Sequence, residues 1–321
     1  MIRAAAIIGG GVIGGGWAAR FLLNGWDVSV YDPAPESPRQ IEEVLANARR
    51  ALPMVYDGDL PAPGTLRFAA SPADAAQNAA WVQESVPERL EAKHRVLADL
   101  SAAAPEEAVI ASSTSGFKPS DLTAAGARAI VAHPFNPVYL LPLVELVGDA
   151  QTCGRAADIL TEIGMKPLLL RQEIDAHIAD RLLEAVWREA LWLIRDGVCT
   201  TEEVDDAIRY GFGLRWAQMG LFETYRIAGG EAGMRHFLAQ FGPALQWPWS
   251  RLTDVPDLDA ALIERIALQS DAQSGHLSIR ELERLRDRNL VALIRALKPT
   301  ASGAGGVVND HEAWLAQTRE D

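Results

Sequence analysis

Cysteine is scarce in this chain, whose 321 residues include only Cys153 and Cys199. Two cysteines cannot build a disulfide framework, and neither lies in a spacing typical of metal ligands. The sequence therefore predicts a protein of a reducing compartment, the cytoplasm, without a bound metal.

Basic residues are also in deficit. The chain has 30 Lys and Arg against 43 Asp and Glu, which gives a formal net charge of −13. Such a surface repels phosphate backbones and anionic lipids, and it lacks the basic patch that nucleic-acid binding requires. We therefore expect no nucleic acid as the main partner.

A long apolar run is missing as well. The charge-free stretch Ala4–Ala19 is shorter than the roughly 20 apolar residues that a membrane span needs. It also contains six glycines, which a lone helix tolerates badly. An amphipathic segment follows it without a convincing cleavage region, which disfavours a signal peptide. No membrane partner is expected.

The first half of the chain alternates short apolar runs with helical or turn-rich segments, and this alternation favours a parallel, doubly wound α/β sheet. The strand candidates are Ala4–Ile8, Val28–Tyr31, Leu66–Ala69, Trp81–Glu84, Ala108–Ser112, Ala129–Ala132, Leu143–Leu146 and Pro167–Leu170.

The pattern changes to helical spacing after about residue 172. Gly197 is typical of a helix end, and Thr200 with Glu203 forms a capping-box pattern before another helix. We therefore predict a Rossmann-type domain over residues 1–176 and an all-α domain over 177–321. The Gly-, Ala- and Ser-rich segment Pro299–Asn309 reads as a flexible linker to a last short segment around Trp314.

A dinucleotide-binding pattern follows the first strand candidate. Gly9, Gly11 and Gly14 give the spacing G-x-G-x-x-G, and Asp32 ends the next strand candidate. Such glycines permit a tight turn and a close approach to pyrophosphate, and the acid accepts hydrogen bonds from an adenosine ribose. Pro33, rather than a basic residue, follows Asp32, so NAD is favoured over NADP. The alternative is a glycine-rich turn followed by a surface aspartate.

A second informative stretch is His133-Pro134-Phe135-Asn136-Pro137. Its prolines disfavour a helix or a central strand, which predicts a stiff loop that holds His133 and Asn136 after a strand. An imidazole suits proton abstraction from a hydroxyl, and Glu145 on the following strand is suited to orient it. A surface histidine with a structural glutamate is the alternative.

These motifs together resemble the 3-hydroxyacyl-CoA dehydrogenase family over most of the chain. The resemblance is carried by the run Ser112-Ser113-Thr114-Ser115, the His-Pro-Phe-Asn-Pro loop, the spacing from His133 to Glu145, and Glu88 with Lys93. It implies an N-terminal NAD domain, a helical C-terminal domain that makes a homodimer, and a substrate site in the cleft between them.

The resemblance also implies roles for individual residues. His133 would be the general base, Glu145 its orienting partner, and Ser115 a hydrogen-bond partner of the substrate oxygen. Glu88, Lys93 and Asn136 would lie along the cofactor, with Asn136 near its nicotinamide end. Without the family, Glu88 and Lys93 would be an ordinary solvated pair on a helix.

One position departs from the family pattern. The acyl-CoA enzymes carry Gly-Phe-x-x-Asn-Arg where this chain has Ala176-His177-Ile178-Ala179-Asp180-Arg181, so Asp180 replaces an asparagine of the catalytic pocket. A carboxylate there would attract a cation. Alternatively, Asp180 pairs with Arg181 or caps the helix that starts near it.

The runs His133–Val147, Arg181–Ile194 and Tyr210–Gly233 are most similar to family members that act on L-carnitine. This implies oxidation of the 3-hydroxyl of L-carnitine to 3-dehydrocarnitine. Aromatic faces recognise quaternary ammonium groups, which makes Trp187 and Trp216 candidates alongside Asp180. Three alternatives remain: a dehydrogenase of the family for a 3-hydroxyacyl-CoA or a sugar acid such as L-gulonate, a non-catalytic NAD-binding protein like some lens crystallins, and an NAD-responsive regulator.

Overall fold

Eight short strands form one sheet in the computed structural model, in the order β3-β2-β1-β4-β5-β6-β7-β8. Each of the eight strand predictions corresponds to one of them. The strands are β1 Ala4–Ile8, β2 Asp27–Tyr31, β3 Leu66–Phe68, β4 Trp81–Glu84, β5 Val109–Ser112, β6 Ile130–Pro134, β7 Leu143–Val147 and β8 Lys166–Leu169.

The structure describes residues 3–228, 233–241, 250, 259–274 and 276–320. The chain divides into two units. The first contains residues 1–178 together with 286–321, and the second contains residues 179–285. Within the described part, no helix is long and apolar enough to cross a membrane.

The prediction of an all-parallel sheet is wrong at one pair of strands. From β3 to β6 the neighbouring strands are parallel, but β6 and β7 are antiparallel, and β8 then runs parallel to β7. The short connection from β6 to β7 allows this, because a parallel pair requires a crossover of a dozen or more residues.

His133 lies within β6 rather than in a loop, which corrects a second prediction. β6 pairs with β5 only through Ile130 and Val131, so nothing in β5 requires an N–H from Pro134. The proline is therefore compatible with the end of the strand, where its partner in β7 is Val144.

Helices flank the sheet of the first unit. They are α1 Val12–Leu22, α2 Ser37–Ala51, α3 Pro72–Ala76, α4 Leu90–Ala103, α5 Pro119–Thr123 and α6 Ala150–Glu162. Alternate residues of β1 enter two separate cores: Ala5 and Ile7 pack in one, and Ala6 and Ile8 in the other. The sheet is thus buried on both faces, as its largely apolar strands require.

The second unit is helical in its described residues, as predicted. It contains α7 Ala179–Arg195, α8 Thr201–Ala207, α9 Gly213–Ala228, α10 Gly233–Phe241 and α11 Ala260–Ser274. Gly197 follows the end of α7 with a φ of +71°. The capping box of Thr200 and Glu203 is present, with Thr200 accepting from the Glu203 N–H. Both sequence predictions for these positions are confirmed.

The prediction of a flexible tail is wrong. A helix, α12, spans Ile279–Leu297 across the boundary of the units, and another, α13, spans Gly303–Glu320 within the first unit. Val308 and Leu315, seven residues apart and hence on one face of α13, are buried. A Cβ on Gly305 would lie 2.3 Å from the Leu297 carbonyl carbon. This glycine serves close packing, which composition alone does not distinguish from flexibility.

Candidate active site

The turn after β1 has the geometry of a dinucleotide-binding loop. Gly9 adopts a φ of +105°, and a Cβ there would lie 2.5 Å from the Ser85 carbonyl oxygen. A Cβ on Gly14 would lie 1.8 Å from the Gly9 carbonyl oxygen. Only glycine therefore fits at these two positions, and α1 starts directly against the strand.

Gly11 and Asp32 provide the surfaces that a dinucleotide would contact. Gly11 is the residue before α1, and a Cβ on it would meet no described atom within 4 Å. Its position is thus open to a phosphate at the helix N-terminus. Asp32 follows β2, and its carboxylate accepts the Gly10 N–H at 2.6 Å and the Ala34 N–H at 2.8 Å. The residues present fit a dinucleotide.

His133 and Glu145 face each other across the antiparallel pair β6 and β7. The imidazole Nδ1 lies 3.1 Å from Glu145 Oε2, and both side chains are buried. Directly opposed residues share one face of a sheet. The strand register itself therefore brings the predicted base and its predicted partner together.

The other side of the imidazole contacts Ser115. His133 Nε2 lies 3.2 Å from Ser115 Oγ, on the segment that follows β5. Because a carboxylate only accepts, Nδ1 carries the hydrogen in the contact with Glu145. In the neutral ring, Nε2 then carries the lone pair that is able to accept a proton.

Three further contacts hold Glu145 and His133. Glu145 Oε1 accepts the backbone N–H of Ile178 at 2.9 Å. The rings of Phe135 and His177 lie 4.9 and 5.4 Å from the His133 ring, centroid to centroid. His177 is itself buried, and its Nε2 donates to the Thr114 carbonyl at 3.2 Å. The imidazole of His133 is therefore held between aromatic rings and a carboxylate.

Lys93 is buried, whereas its partner Glu88 is exposed, so the two do not form the ordinary solvated pair that the sequence suggests. The ammonium of Lys93 lies 3.2 Å from Glu88 Oε2 and 3.0 Å from Glu84 Oε1. Glu88 also accepts hydrogen bonds from the Thr114 hydroxyl and, at 3.2 Å, from the Gly116 N–H. Partial burial opposes ionisation of Glu88, but the hydrogen bond from Thr114 and the charge of Lys93 outweigh it and lower the pKa of this carboxyl.

Glu84 and Thr114 were not singled out from the sequence. Glu84 is the last residue of β4, and Thr114 follows β5, so both come where parallel strands end. The sequence contained a signal for both residues, because ligands bind at the edge of a parallel sheet where the strands end. Asn136 lies exposed just after β6, on the loop predicted to hold it.

The remaining candidates lie in the second unit. Asp180 is half-buried in the first turn of α7, and Trp187 lies seven residues later on the same helix face, 56% exposed. Trp216, in α9, packs against Phe212 with ring centroids 4.5 Å apart. Asp180 and Trp187 therefore form one polar and aromatic face, while Trp216 belongs to a different helix.

The sequence matches both domains of one protein family. Residues 4–174 match the 3-hydroxyacyl-CoA dehydrogenase NAD binding domain, and residues 177–258 match the C-terminal domain of the same family. The cofactor of the matched first domain is thus NAD, in agreement with the loop and Asp32.

Relatives extend over nearly the whole chain. A protein of Agrobacterium fabrum named L-carnitine dehydrogenase/betainyl-CoA thioesterase is 63% identical, covering 96% of this chain and 64% of its own length. A protein of Mesorhizobium japonicum named L-carnitine dehydrogenase is 57% identical, covering 99% of this chain and 90% of its own. This chain therefore spans less than two thirds of the first relative.

A solved structure shows the same architecture. It is the 5-dehydrogenase of 5-formyl-3-hydroxy-2-methylpyridine 4-carboxylic acid, described as an NAD+-dependent dismutase. It is 28% identical, with a TM-score of 0.76, over 93% of this chain and 99% of that one. With two matched domains and relatives above half identity, the chain belongs to the 3-hydroxyacyl-CoA dehydrogenase family.

Proposed function

We propose that the protein oxidises the 3-hydroxyl of L-carnitine to 3-dehydrocarnitine, with NAD as the oxidant. The observation that carries the proposal is His133, fixed between Glu145 and Ser115. The names of two relatives, L-carnitine dehydrogenases that are 63% and 57% identical, support the choice of substrate.

In this mechanism, Nε2 of His133 takes the proton of the substrate hydroxyl while the hydrogen on C3 leaves as hydride. When bound, NAD supplies the acceptor for that hydride. Glu145 stabilises the imidazolium that forms, and Ser115 Oγ hydrogen-bonds the substrate oxygen as it becomes a carbonyl. The products are the ketone, NADH and a proton.

The cofactor would be held by residues of the first unit. The turn formed by Gly9, Gly11 and Gly14 would face the pyrophosphate, and Asp32 the adenosine ribose. Glu88, Lys93 and Asn136 would lie toward the nicotinamide end. The partly exposed carboxylate of Glu88 and its lowered pKa support a role as a charged acceptor for ribose hydroxyls.

The trimethylammonium group of the substrate requires a different surface. It has no hydrogen-bond donor, so it gains from aromatic faces and from negative charge. Asp180 and Trp187, on one face of α7, offer both, and Trp216 is a further candidate. An acyl-CoA thioester would gain nothing from a carboxylate at position 180.

We further propose that the protein is a cytoplasmic homodimer. The free thiols of Cys153 and Cys199 agree with a reducing compartment. α7 exposes Leu182 and Leu183, which make an apolar surface that a second copy would cover. Sedimentation of the purified protein as a monomer at micromolar concentration would contradict the dimer.

The decisive experiment is to measure NADH formation with four substrates: L-carnitine, D-carnitine, 3-hydroxybutyrate and 3-hydroxybutyryl-CoA. We expect turnover with L-carnitine and little with the others. Turnover with the CoA ester alone would retain the His133 mechanism but refute the substrate. Turnover with none, despite NADH binding, would favour a non-catalytic NAD-binding protein.

The role of His133 is tested by His133→Ala. Loss of a general base should lower kcat about 10²- to 10⁴-fold while NADH affinity is retained. His276→Ala, which removes an exposed histidine of the second unit, is the control and should have no effect. A His133 variant within about threefold of the wild-type rate would refute the assignment.

Asp180→Asn tests the cationic subsite. Loss of one charge near the ammonium should raise the KM for L-carnitine about fivefold, equivalent to about 1 kcal/mol, and leave the KM for NAD unchanged. Asp196→Asn makes the same charge change at an exposed position beyond the end of α7 and serves as the control. An unchanged KM for L-carnitine in the Asp180 variant would remove this residue from the site.

A further inference from the structure

A fully buried carboxylate, Glu84, lies at the end of β4 beneath the predicted cofactor residues. Its Oε1 accepts the Val86 N–H at 2.7 Å, and its Oε2 accepts the Ser112 hydroxyl at 2.5 Å. Both oxygens also receive the Lys93 ammonium, at 3.0 and 3.2 Å. Glu84 itself is closed to any ligand.

Lys93 is equally inaccessible, with 1% of its side chain exposed. Its ammonium has three acceptors among the described residues: the carboxylates of Glu84 and Glu88 and the Val86 carbonyl at 3.3 Å. An ammonium has three N–H donors, so this set uses all of them. A direct bond from Lys93 to a cofactor would require breaking one of these contacts.

Glu88 is the only one of these three charged side chains that reaches the surface, with 46% of its side chain exposed. One carboxylate oxygen contacts Lys93, and the other accepts from Thr114 and Gly116, next to Ser115. The orientation of Glu88 therefore depends on where the buried ammonium is held. Among the described residues, Glu84 is the only other carboxylate on that ammonium.

We propose that Glu84 is a positioning residue for NAD binding, which acts through Lys93 on Glu88 and touches neither cofactor nor substrate. The inference rests on the proposed placement of Glu88 along the cofactor. A buried ion pair is weak evidence for stability, because apolar residues can often replace it. A role in NAD binding would explain why Glu84 and Lys93 are both charged. It also makes the contribution of Lys93 indirect.

A double-mutant cycle on NADH affinity tests this route, with tryptophan fluorescence as the readout. Glu84→Gln and Glu88→Gln should each weaken NADH binding roughly five- to tenfold. The double variant should bind no more weakly than Glu88→Gln alone. A merely structural role for Glu84 would make the two losses multiply instead.

Two further variants control for folding. Ser112→Ala removes a hydrogen bond to Glu84 but keeps all charges, and it should leave NADH affinity within about twofold of wild type. If Glu84→Gln does not fold, the charge-balanced pair Glu84→Gln with Lys93→Met replaces it in the cycle. That pair should lose as much NADH affinity as Glu88→Gln.

The outcomes separate this inference from the proposed function. Wild-type NADH affinity in the Glu84 variant, or losses that multiply, would overturn the inference while the placement of Glu88 stands. Wild-type affinity in Glu88→Gln would overturn that placement and this inference together. Loss of carnitine turnover plays no part in either result.

Discussion

The two units of this protein bury their apolar residues to different degrees. In the first, β4 and β5 are buried along their full length, and two cores cover the two faces of the sheet. In the second, α7 buries only Leu191 and Ile194, and α8 buries nothing, within the described part of the chain.

This difference in burial indicates that the two units have different roles. The sheet unit holds Ser115, His133 and Glu145 with their supporting contacts. The helical unit leaves apolar faces uncovered, which suits assembly with a second copy and recognition of a substrate. A change in the first unit should therefore alter chemistry or stability, and a comparable change in the second should alter association.

The largest effect is expected in the first unit from Gly14→Ala. Its new Cβ would lie 1.8 Å from the Gly9 carbonyl oxygen, so α1 must shift. We expect a loss of about 3 kcal/mol in the free energy of unfolding and a loss of NADH binding. Urea denaturation and fluorescence titration measure the two.

Two other glycines make this prediction specific. Gly11→Ala meets no described atom within 4 Å, so stability should be retained while NADH binding is lost. Gly58→Ala is equally open and should alter neither property. If Gly14→Ala kept wild-type stability, the close contact of α1 with the glycine turn would be refuted.

A pH-dependent effect of similar size is expected where α13 packs within the first unit. Burial, together with the charge of Arg20, lowers the pKa of His311 to about 4. The neutral ring contacts the Tyr56 hydroxyl at 2.9 Å and donates to the Glu162 carbonyl at 3.0 Å. Protonation would remove the acceptor that Tyr56 uses.

The sign follows from proton linkage. The unfolded chain binds the proton near pH 6.5 and the folded protein only near pH 4, so stability falls as the pH drops through this window. The contribution is about 3 kcal/mol, fully present above pH 6.5. Urea denaturation of wild type and His311→Gln from pH 4 to 7.5 gives the free energy of unfolding at each pH. The contribution of His311 is the difference between the two slopes of this free energy against pH. Equal slopes would show that His311 titrates alike in both states.

The smallest change in folding free energy is expected from an exposed leucine of the helical unit. Leu183 is 59% exposed, so Leu183→Glu should change the unfolding free energy by no more than about 0.5 kcal/mol. It should nevertheless convert a dimer to a monomer in sedimentation. Leu169→Glu, at a 53% exposed position of the sheet unit, should leave the mass unchanged. If only Leu169→Glu dissociated the dimer, the dimer contacts would lie in the sheet unit and not in the helical unit.

Much of the first unit was predictable, because strands, glycine turn and acid follow local rules. All eight strand positions were anticipated from short apolar runs, and the pairing of His133 with Glu145 from the resemblance to the family. The direction of β7 was missed, since it depends on long-range packing. The glycine-rich segment that contains Gly305 was wrongly interpreted as flexible, because close packing and flexibility both favour glycine.

The burial of Lys93 could not be read from its sequence context. Charged residues such as Glu88 and Lys93 are typical of a solvent-exposed helix. Lys93 is buried because it pairs with Glu84, which lies on another element before α4. The helical unit shows the opposite limit. Its periodicity predicts helices well, but which exposed rings contact a substrate does not follow from the spacing of Asp180, Trp187 and Trp216.

The antiparallel register of β6 and β7 also determines where the chain tolerates a change of length. The segment between Pro134 and Leu143 connects the strands without fixing their pairing, so an inserted residue there would leave His133 opposite Glu145. One residue inserted within β7 before Glu145 would turn that carboxylate to the other face of the sheet. We therefore expect no insertion or deletion within β7 before Glu145 among functional homologues.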